Sequence, residues 1–294
     1  MKKLLVTGAS GFLGWHLCHK AKEEWTVYGT VFSHHCTIDG VTILTADLTN
    51  FHELKRLFQT IKPDAVIHTA AQTDPNTCQT LRSESKEINV DTSVLIAGLC
   101  ADFSLPCAFT STDLVFDGLR APYRETDLVC PVNVYGEHKV LAEKGMMARY
   151  PKVTICRIPP LFGIPGTASM SFIQPMMQAM RTGQELRLFI DEFRTPISVR
   201  TAVQGILLSL EKATGLIHLG GAERISRYNF ATLLVEIFGF SRARISPCEQ
   251  KDVVMDAPRP PDVSLDSSKA LALGYSPLAL REEIKNLNHG NYVV

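Results

Sequence analysis

A tyrosine and a lysine stand four residues apart, at Tyr135 and Lys139, within the stretch YGEHK. Residues at this spacing lie on one face of a helix, one turn apart. A cation held beside a phenol favours the phenolate and lowers a pKa that is ordinarily about 10, so the pair suits acid catalysis. The same spacing also occurs on ordinary helix surfaces, where Lys139 would instead pair with Glu143.

Polar side chains end an apolar run that is typical of a buried strand at residues 106–111. Ser111, Thr112 and Asp113 come at this point, and buried polar groups are costly unless they have a partner or a ligand. In parallel sheets, ligands bind outside the carboxyl ends of the strands. We therefore expect Thr112 and Asp113 to border a binding site, and Ser111 to bond with the backbone.

Glycines stand at a G-x-x-G-x-x-G spacing between the first predicted strand and the first predicted helix. Glycines in this context permit a tight turn and let backbone N–H groups and the helix N-terminus approach a pyrophosphate. The sequence predicts a dinucleotide-binding turn formed by Gly8, Ser10, Gly11, Phe12, Leu13 and Gly14.

The end of the second predicted strand, residues 29–35, contains no acidic residue. Proteins that bind NAD usually place an acid here to contact the ribose hydroxyls, and such an acid would repel a 2′-phosphate. Its absence favours NADP(H) over NAD(H), with Ser33 and His34 as candidate phosphate contacts. Asp47, followed by Leu48, is a candidate acceptor for the adenine amino group, or alternatively an N-cap for the next helix.

Apolar runs alternate with helical patterns through the first half of the chain. The predicted strands are 3–7, 25–32, 42–46, 64–70, 106–111 and 152–158, and the predicted helices are 12–23, 51–60, 80–101 and 133–149. This alternation indicates an α/β fold with a doubly wound parallel (Rossmann) sheet covered on both faces. We expect an NAD(P)-binding domain at 1–160 and a smaller C-terminal α/β substrate region at 161–294, parts of which return to the sheet.

The amino-acid composition limits the kinds of molecule that the chain is expected to bind. Thirty Lys and Arg balance thirty Asp and Glu among 294 residues with no basic block, which argues against nucleic acid or an anionic membrane as a partner. The first apolar run stops at Thr7, and the eight cysteines form no Cys-x-x-Cys pair, so we expect a cytoplasmic protein with reduced thiols. His16 and His19 have no evident third ligand, so no catalytic metal is expected.

Several motifs occur together in one order, and with them the chain resembles the extended short-chain dehydrogenase/reductase superfamily. They are the TGxxGxxG turn, Thr69-Ala70-Ala71, Asn89 and the Tyr135/Lys139 pair. Within the superfamily the chain is similar to the dTDP-4-dehydrorhamnose reductase group, from about residue 4 to residue 266. The motifs that carry this resemblance are STDLVFDG (111–118), PYRETD (122–127), PVNVYGEHKVLAEK (131–144), HLGGAERISRYNFA (218–231) and RPPDVSLD (259–266).

The resemblance implies an NADPH-dependent reductase that acts on a 4-keto deoxysugar nucleotide, and a homodimer. It implies that Tyr135 protonates the substrate carbonyl, that Thr112 orients it, and that Lys139 holds the nicotinamide ribose and lowers the pKa of Tyr135. Besides the glycine turn, it places the cofactor against Ala70, Ala71 and Ile158. It places the substrate against Thr73, Asp113, Val115, Phe116 and Arg259.

Other members of the superfamily offer alternative functions. Dehydratases carry Thr-Asp-Glu at the strand end, whereas this chain has Leu114 in the third position, which argues against dehydration. A 4-epimerase uses the same Tyr/Lys pair but keeps NAD, and the missing acid argues mildly against it. The chain also resembles the regulatory beta subunit of methionine adenosyltransferase, which works by binding another protein. Pro159-Pro160 stands where the sugar reductases often carry tryptophan, and this difference favours the regulatory alternative.

Overall fold

The computed structural model describes residues 1–166 and 169–288. Strands and helices alternate through the first half of the chain, as its apolar periodicity predicts. The elements of this half are β1 (Lys3–Thr7), α1 (Phe12–Ala21), β2 (Thr26–Val31), β3 (Thr42–Thr45), α2 (Phe51–Ile61), β4 (Ala65–His68), α3 (Pro75–Thr80), α4 (Arg82–Lys86), a π-helical turn (Glu87–Asp91), α5 (Thr92–Asp102), β5 (Cys107–Thr112), a 3-10 turn (Asp113–Val115), α6 (Val134–Arg149) and β6 (Thr154–Ile158).

The second half has shorter strands. Its elements are β7 (Leu161–Phe162), α7 (Ile173–Thr182), β8 (Glu185–Phe189), β9 (Phe193–Arg194), β10 (Ile197–Ser198), α8 (Val199–Lys212), β11 (Gly215–His218), β12 (Ile225–Ser226), α9 (Arg227–Phe238), β13 (Arg244–Cys248), a 3-10 turn (Gln250–Asp252), α10 (Ser268–Ala272) and α11 (Leu280–Asn288). Among the residues that the structure describes, no helix has the length and apolar content needed to cross a membrane.

The central sheet has seven parallel strands in the order β11-β6-β5-β4-β1-β2-β3. The chain runs outward from β1 to β3 and then returns to β4 on the other side of β1. Ligands of doubly wound sheets bind at this reversal, outside the carboxyl ends of the strands. The fold predicted from the sequence is confirmed, and it puts the ends of β1 and β4 at the expected binding crevice.

Both faces of the sheet are covered, because successive side chains of a strand point to opposite faces. Leu4 and Val6 of β1 pack with Leu17 of α1 in one core cluster. Leu5, between them, packs with Leu54 of α2 in a second cluster on the opposite face. All three β1 leucine and valine side chains are fully buried, which explains the continuous apolar run of this strand.

The predicted helix at 80–101 is not continuous in the structure. It is divided into α4, the π-helical turn and α5, and the turn contains Asn89. The Asn89 side chain accepts a hydrogen bond from the Gln72 N–H (2.8 Å) and donates one to the Gln72 carbonyl (2.9 Å). The wider turn therefore lets Asn89 hold the segment that follows β4, and such π-helical insertions are frequent at functional sites.

Candidate active site

The glycine turn between β1 and α1 is shaped for a close approach to a ligand. Gly8 has φ +76°, and the Gly11 N–H donates to the Gly8 carbonyl at 2.9 Å. A Cβ at Gly14 would overlap that same carbonyl oxygen, so the turn requires glycine there. No side chain caps α1 at Gly11, which leaves N–H groups of its first turn free for an anion. These features fit the pyrophosphate of a dinucleotide.

Thr7 joins the glycine turn to the end of β4. Its hydroxyl accepts hydrogen bonds from the N–H groups of Thr69 (3.1 Å) and Ala70 (3.3 Å). A Cβ on Gly8 would lie 2.8 Å from the Ala70 Cα, so the two segments touch through backbone atoms. The structure thus brings together the predicted cofactor residues Gly8 and Ala70.

A buried histidine continues this connection toward Asn89. His68 Nδ1 lies 2.7 Å from the Thr7 hydroxyl, and its Nε2 lies 3.1 Å from the Ser93 hydroxyl. Ser93 donates its own proton to the Asn89 carbonyl, so the Nε2–H of His68 must donate to Ser93 and Nδ1 must accept from Thr7. Burial lowers the pKa of His68 to about 3, which keeps the ring neutral in this tautomer.

The N-terminus of α6 approaches the 3-10 turn at a single glycine. A Cβ on Gly136 would overlap the Leu114 carbonyl oxygen, so a larger residue would push the helix away. Asn133 caps this helix by accepting from the Gly136 N–H at 2.9 Å. The close approach places Tyr135 beside Thr112, whose side chain acts to lower the pKa of the phenol against the effect of burial.

Lys139 points back toward the sheet from the second turn of α6. Its Nζ donates to the Thr110 carbonyl at 2.9 Å and lies 4.5 Å from the centroid of the Phe109 ring. The same Nζ is 5.9 Å from the centroid of the Tyr135 ring. Burial lowers the pKa of Lys139 to about 8, while the Glu143 carboxylate raises it. The predicted Tyr135, Lys139 and Thr112 set is therefore assembled beside the carboxyl end of β5.

Tyr135 is 8 % exposed, and its environment differs from the one expected. Burial raises its pKa above the usual range, and the charges of Cys78 and Asp113 act in the same direction. The sequence led us to expect that Lys139 would lower this pKa. The ammonium is instead engaged by the Thr110 carbonyl and the Phe109 ring, and burial of the phenol dominates. A raised pKa keeps the phenol in its proton-donating form.

Charged side chains form a buried cluster on the other side of Thr112. Asp113 is wholly buried and accepts two hydrogen bonds from Arg194, one from Nε at 2.6 Å and one from Nη2. Glu192 lies 3.6 Å from Arg194 Nη1 and 4.0 Å from Arg227 Nε. Arg194 and Arg227 also line a small pocket together with Pro160. The Asp113 pair thus braces the 3-10 turn against the C-terminal half of the chain.

Comparisons with known proteins agree with this arrangement. A family model described as RmlD substrate binding domain matches residues 1–290. The chain belongs to the RmlD substrate-binding-domain family. It is 28 % identical over 283 residues to methionine adenosyltransferase 2 subunit beta of Pongo abelii, covering 93 % of this chain and 83 % of that protein.

Solved structures of dTDP-4-dehydrorhamnose reductases share the fold of this RmlD-family chain. One from Clostridium acetobutylicum has a TM-score of 0.86 and 26 % identity, over 98 % of this chain and 99 % of that one. A hypothetical reductase of Sulfolobus tokodaii has a TM-score of 0.83 and 31 % identity, over 95 % and 98 %. The Bacillus anthracis reductase, in complex with NADP, has a TM-score of 0.85 and 22 % identity, over 99 % and 100 %.

The residues expected to contact the adenosine half of a cofactor lie beyond β2 and β3. Ser33 and His34 are exposed, and the Ser33 hydroxyl lies 3.0 Å from His34 Nδ1. Asp47 accepts hydrogen bonds from the N–H (3.0 Å) and hydroxyl (2.7 Å) of Thr49. The alternative that Asp47 caps the next helix is wrong, because Asn50 caps α2. Half-buried Leu48 packs against the core.

The residues expected around the substrate are not all equally accessible. Thr73 is exposed, and Arg259 is half-buried with a guanidinium nitrogen 3.3 Å from Asn76 Oδ1. Val115 and Phe116 are wholly buried in a core cluster, so neither residue has an exposed atom with which to make the predicted substrate contact. Half-buried Ala71 follows Ala70 at the crevice, and Ile158 lies beside Thr112, its partner across the strands β5 and β6.

Sequence reasoning missed a buried polar group directly behind the site. Ser111 donates to the Glu143 carboxylate at 2.5 Å rather than to the backbone as we expected. Glu143 also forms a two-bond ion pair with Arg157, at 2.9 Å and 2.7 Å, and does not pair with Lys139. The available signal was the spacing of Glu143, one turn after Lys139 on α6. The partner Arg157 lies on the next element, β6, and spacing within one helix gave no signal of it.

Proposed function

We propose that this protein is an NADP(H)-dependent reductase of a 4-keto deoxysugar nucleotide, of the dTDP-4-dehydrorhamnose reductase type. The observation that carries the proposal is the buried trio of Thr112, Tyr135 and Lys139 at the carboxyl end of β5, in the same crevice as the glycine turn. Membership of the RmlD family and the likeness to dTDP-4-dehydrorhamnose reductases support it.

The proposed chemistry reduces a carbonyl to an alcohol. A bound nicotinamide supplies the hydride. The Tyr135 phenol donates its proton to the carbonyl oxygen, while the Thr112 hydroxyl orients that oxygen by a hydrogen bond. The Lys139 ammonium stabilises the phenolate that remains until a proton from solvent restores the phenol. Because burial raises the pKa of Tyr135, the phenol holds its proton until the carbonyl oxygen gains negative charge.

The proposed cofactor preference rests on the residues after β2. No carboxylate is present among residues 29–35, so nothing acidic there repels a 2′-phosphate. Exposed Ser33 and His34 are the proposed phosphate contacts, and Asp47 is the proposed contact for the adenine amino group. The NADP complex of the Bacillus anthracis reductase supports the same preference by likeness of fold.

The proposed substrate site lies across the crevice from the cofactor turn. Arg259 and Arg227 provide cationic groups for a diphosphate, and guanidinium groups suit bidentate contacts with such anions. Thr73 is exposed at the start of the segment that leads into α3. Asp113 supports the site through Arg194 rather than by direct contact, since its side chain is wholly buried.

The central test is turnover of NADPH with dTDP-4-dehydrorhamnose, followed at the nicotinamide absorbance. Tyr135→Phe removes the proton donor, and we expect the rate to fall by roughly 10²–10⁴-fold. Tyr150→Phe is the matched control, since Tyr150 is a buried tyrosine at the other end of α6. Equal rates for the two variants would contradict the role of Tyr135.

Cofactor binding can be tested separately from turnover. Gly11→Ala places a methyl group 3.2 Å from the Gly8 backbone oxygen, so the turn must shift by a few tenths of an ångström, while the φ of −73° at Gly11 suits alanine. We expect this variant to keep its melting temperature but to lose about tenfold or more in NADPH affinity. A larger thermal shift with NADH than with NADPH in the wild-type protein would contradict the proposed preference.

A subunit role of the methionine adenosyltransferase beta type is the second candidate. The observation that favours it is the 28 % identity to such a subunit over 93 % of this chain. Pro160 lines the small pocket beside Arg194 where the sugar reductases often present a tryptophan, which fits this alternative as well. Two results together would favour the subunit role over the reductase. The protein would turn over none of the 4-keto deoxysugar nucleotides, and it would co-purify with a methionine adenosyltransferase.

A further inference from the structure

A buried carboxylate lies one helical turn beyond Lys139 and is bonded on two sides. Arg157 of β6 donates to Glu143 from Nε (2.9 Å) and Nη2 (2.7 Å), and Ser111 of β5 donates from its hydroxyl (2.5 Å). All three side chains are about 2 % exposed. Three hydrogen bonds, two of them from a guanidinium, fix this buried carboxylate in place.

The remaining contacts of Arg157 fix its orientation in turn. Its guanidinium carbon lies 5.1 Å from the centroid of the Phe116 ring, and Nη1 lies 3.4 Å from His218 Nε2. His218 Nδ1 donates to the Tyr123 carbonyl at 3.0 Å, so Nε2 is free to accept from Arg157. Burial lowers the pKa of His218 to about 3, and the Arg157 charge acts in the same direction. The ring therefore stays neutral and serves as an acceptor.

The Lys139 ammonium has mostly uncharged surroundings. The ammonium donates a hydrogen bond to the Thr110 backbone carbonyl. The titratable groups that face it are His68 from β4, Cys78 from α3, and Tyr135 and Glu143 from its own helix. His68 is neutral and Tyr135 is protonated. Of these groups, Glu143 lies one helical turn from Lys139 and forms an ion pair with Arg157, and its carboxylate raises the pKa of Lys139 against the effect of burial.

We propose that Glu143 is a positioning residue that keeps Lys139 protonated, and that Arg157 holds Glu143 in place for this role. The inference rests on the proposed function only in that a charged Lys139 is the form that would stabilise the Tyr135 phenolate. Glu143 itself does not touch the crevice, because its side chain is buried behind β5 and β6. It acts through Lys139.

The direct test is the titration of Lys139 in the holoprotein, by NMR of protein labelled with ¹³C at the lysine ε-carbon. The Lys139 signal is assigned as the one lost in Lys139→Met. In Glu143→Gln we expect the midpoint of Lys139 to fall by about one pH unit or more, because an opposite charge nearby favours the charged form by that much. An unchanged midpoint would overturn the proposal.

Two further variants separate charge from folding. Ser111→Ala removes one hydrogen bond to Glu143 but no charge, so the Lys139 midpoint should stay at the wild-type value. Glu143→Gln leaves Arg157 as a buried cation without its partner, which destabilises the fold. The double variant Glu143→Gln/Arg157→Met removes both charges, and its Lys139 midpoint should also lie below that of the wild type. A wild-type midpoint in a folded double variant would contradict the proposal.

The pH dependence of turnover provides a second readout. In Glu143→Gln the loss of activity at high pH should begin about one pH unit lower than in the wild type, with little change in rate at pH 6. If the wild type has no turnover but the NMR midpoint moves as expected, the role of Glu143 stands and the reductase proposal fails. If turnover is normal and the midpoint does not move, the role of Glu143 fails alone.

Discussion

Each of the three adjacent polar side chains at the end of β5 has hydrogen-bond partners. Ser111 bonds with Glu143, Thr112 accepts from the Leu114 N–H and donates to Asp113 Oδ1, each at 3.2 Å, and Asp113 also pairs with Arg194. Each of these three buried side chains therefore avoids the cost of an unpaired polar group. Of the three, Thr112 bonds with its neighbours in the chain rather than with a charged side chain of a distant segment, and its side chain acts to lower the pKa of the Tyr135 phenol, which is why we assign the substrate contact to it.

The Asp113–Arg194 pair makes a stability prediction. Arg194→Met leaves a wholly buried carboxylate without its charged partner, so we expect a loss of about 3–5 kcal/mol in the free energy of unfolding. Urea denaturation measures this loss. The double variant Asp113→Asn/Arg194→Met should recover part of it, because neither buried charge then remains.

The matched control is an exposed ion pair. Lys86 and Asp91 lie 2.8 Å apart, with side chains 49 % and 52 % exposed. Lys86→Met should cost less than about 1 kcal/mol, since solvent screens such pairs. If Arg194→Met costs no more than Lys86→Met, the bracing role assigned to Asp113 is wrong.

At the scale of single residues, spacing along the chain predicted what one helix or one turn brings together. Tyr135 and Lys139 are examples, as are Gly8 and Gly14. Contacts between distant segments could not be predicted, because periodicity says nothing about which strand lies beside a given helix face. The ion pair of Glu143 with Arg157, in place of a pair with Lys139, is a contact of this kind.

At the scale of elements, the position of α6 depends on the absence of one methyl group. A Cβ on Gly136 would overlap the Leu114 carbonyl oxygen. Alanine is ordinarily favoured over glycine in a helix by about 1 kcal/mol. We expect Gly136→Ala to destabilise the protein in spite of this preference, and to weaken any activity that depends on Tyr135 and Thr112.

Gly98→Ala in α5 serves as the comparison for that prediction. The nearest atoms that its Cβ would meet belong to the flexible end of the Arg149 side chain, at 3.0 Å, which can move aside. We expect this substitution to be neutral or stabilising. Thermal unfolding of both variants provides the measurement, and similar melting temperatures for the two would show that α6 tolerates a shift.

Helices and strands with strong apolar patterns were predicted within two or three residues of their ends. The segment at 80–101 was not, because its break depends on a tertiary contact. The π-helical turn forms where Asn89 reaches the backbone of Gln72, which lies after β4. Local propensity in the helix gives no sign of that distant partner.

At the scale of the whole molecule, the parallel sheet was predictable because most strands of the first half are buried apolar runs and helices lie between most of them. The second half of the chain was less predictable from the sequence. In the described part of this half, residues 161–166 and 169–288, three small sheets pair β7 with β10, β9 with β12, and β8 with β13, using strands of two to five residues. Strands this short have too little periodicity to be recognised from the sequence.

Four buried histidines, His16, His68, His138 and His218, make the stability of the fold depend on pH, and the pKa is lowered furthest at His68 and His218. His68 and His218 have pKa values of about 3 in the folded protein, against about 6.5 in an unfolded chain. Between these values the unfolded chain binds more protons, so the free energy of unfolding falls as the pH falls below 6.5. From pH 7 to pH 5 we expect a loss of about 2 kcal/mol for each of these two histidines, measurable by urea denaturation.

Substitution separates this effect from other titrations. His68→Gln removes one of the two imidazoles with a pKa of about 3, so the decline of stability between pH 7 and pH 5 should become shallower in that variant. His52 is exposed, and His52→Gln should leave the decline as it is in the wild type. A decline of equal slope in all three proteins would contradict the assignment to buried histidines.

The strand β11 comes from the second half of the chain and forms an edge of the sheet beside β6. A gene fragment that stops at residue 160 would leave β6 with an unpaired edge, an open template for another chain. We expect such a fragment to aggregate on expression. A synthetic peptide spanning Gly215–His218 should restore little of its solubility, since α8 would still be missing. Domain exchange or fusion in this protein must therefore be planned with breakpoints after residue 218.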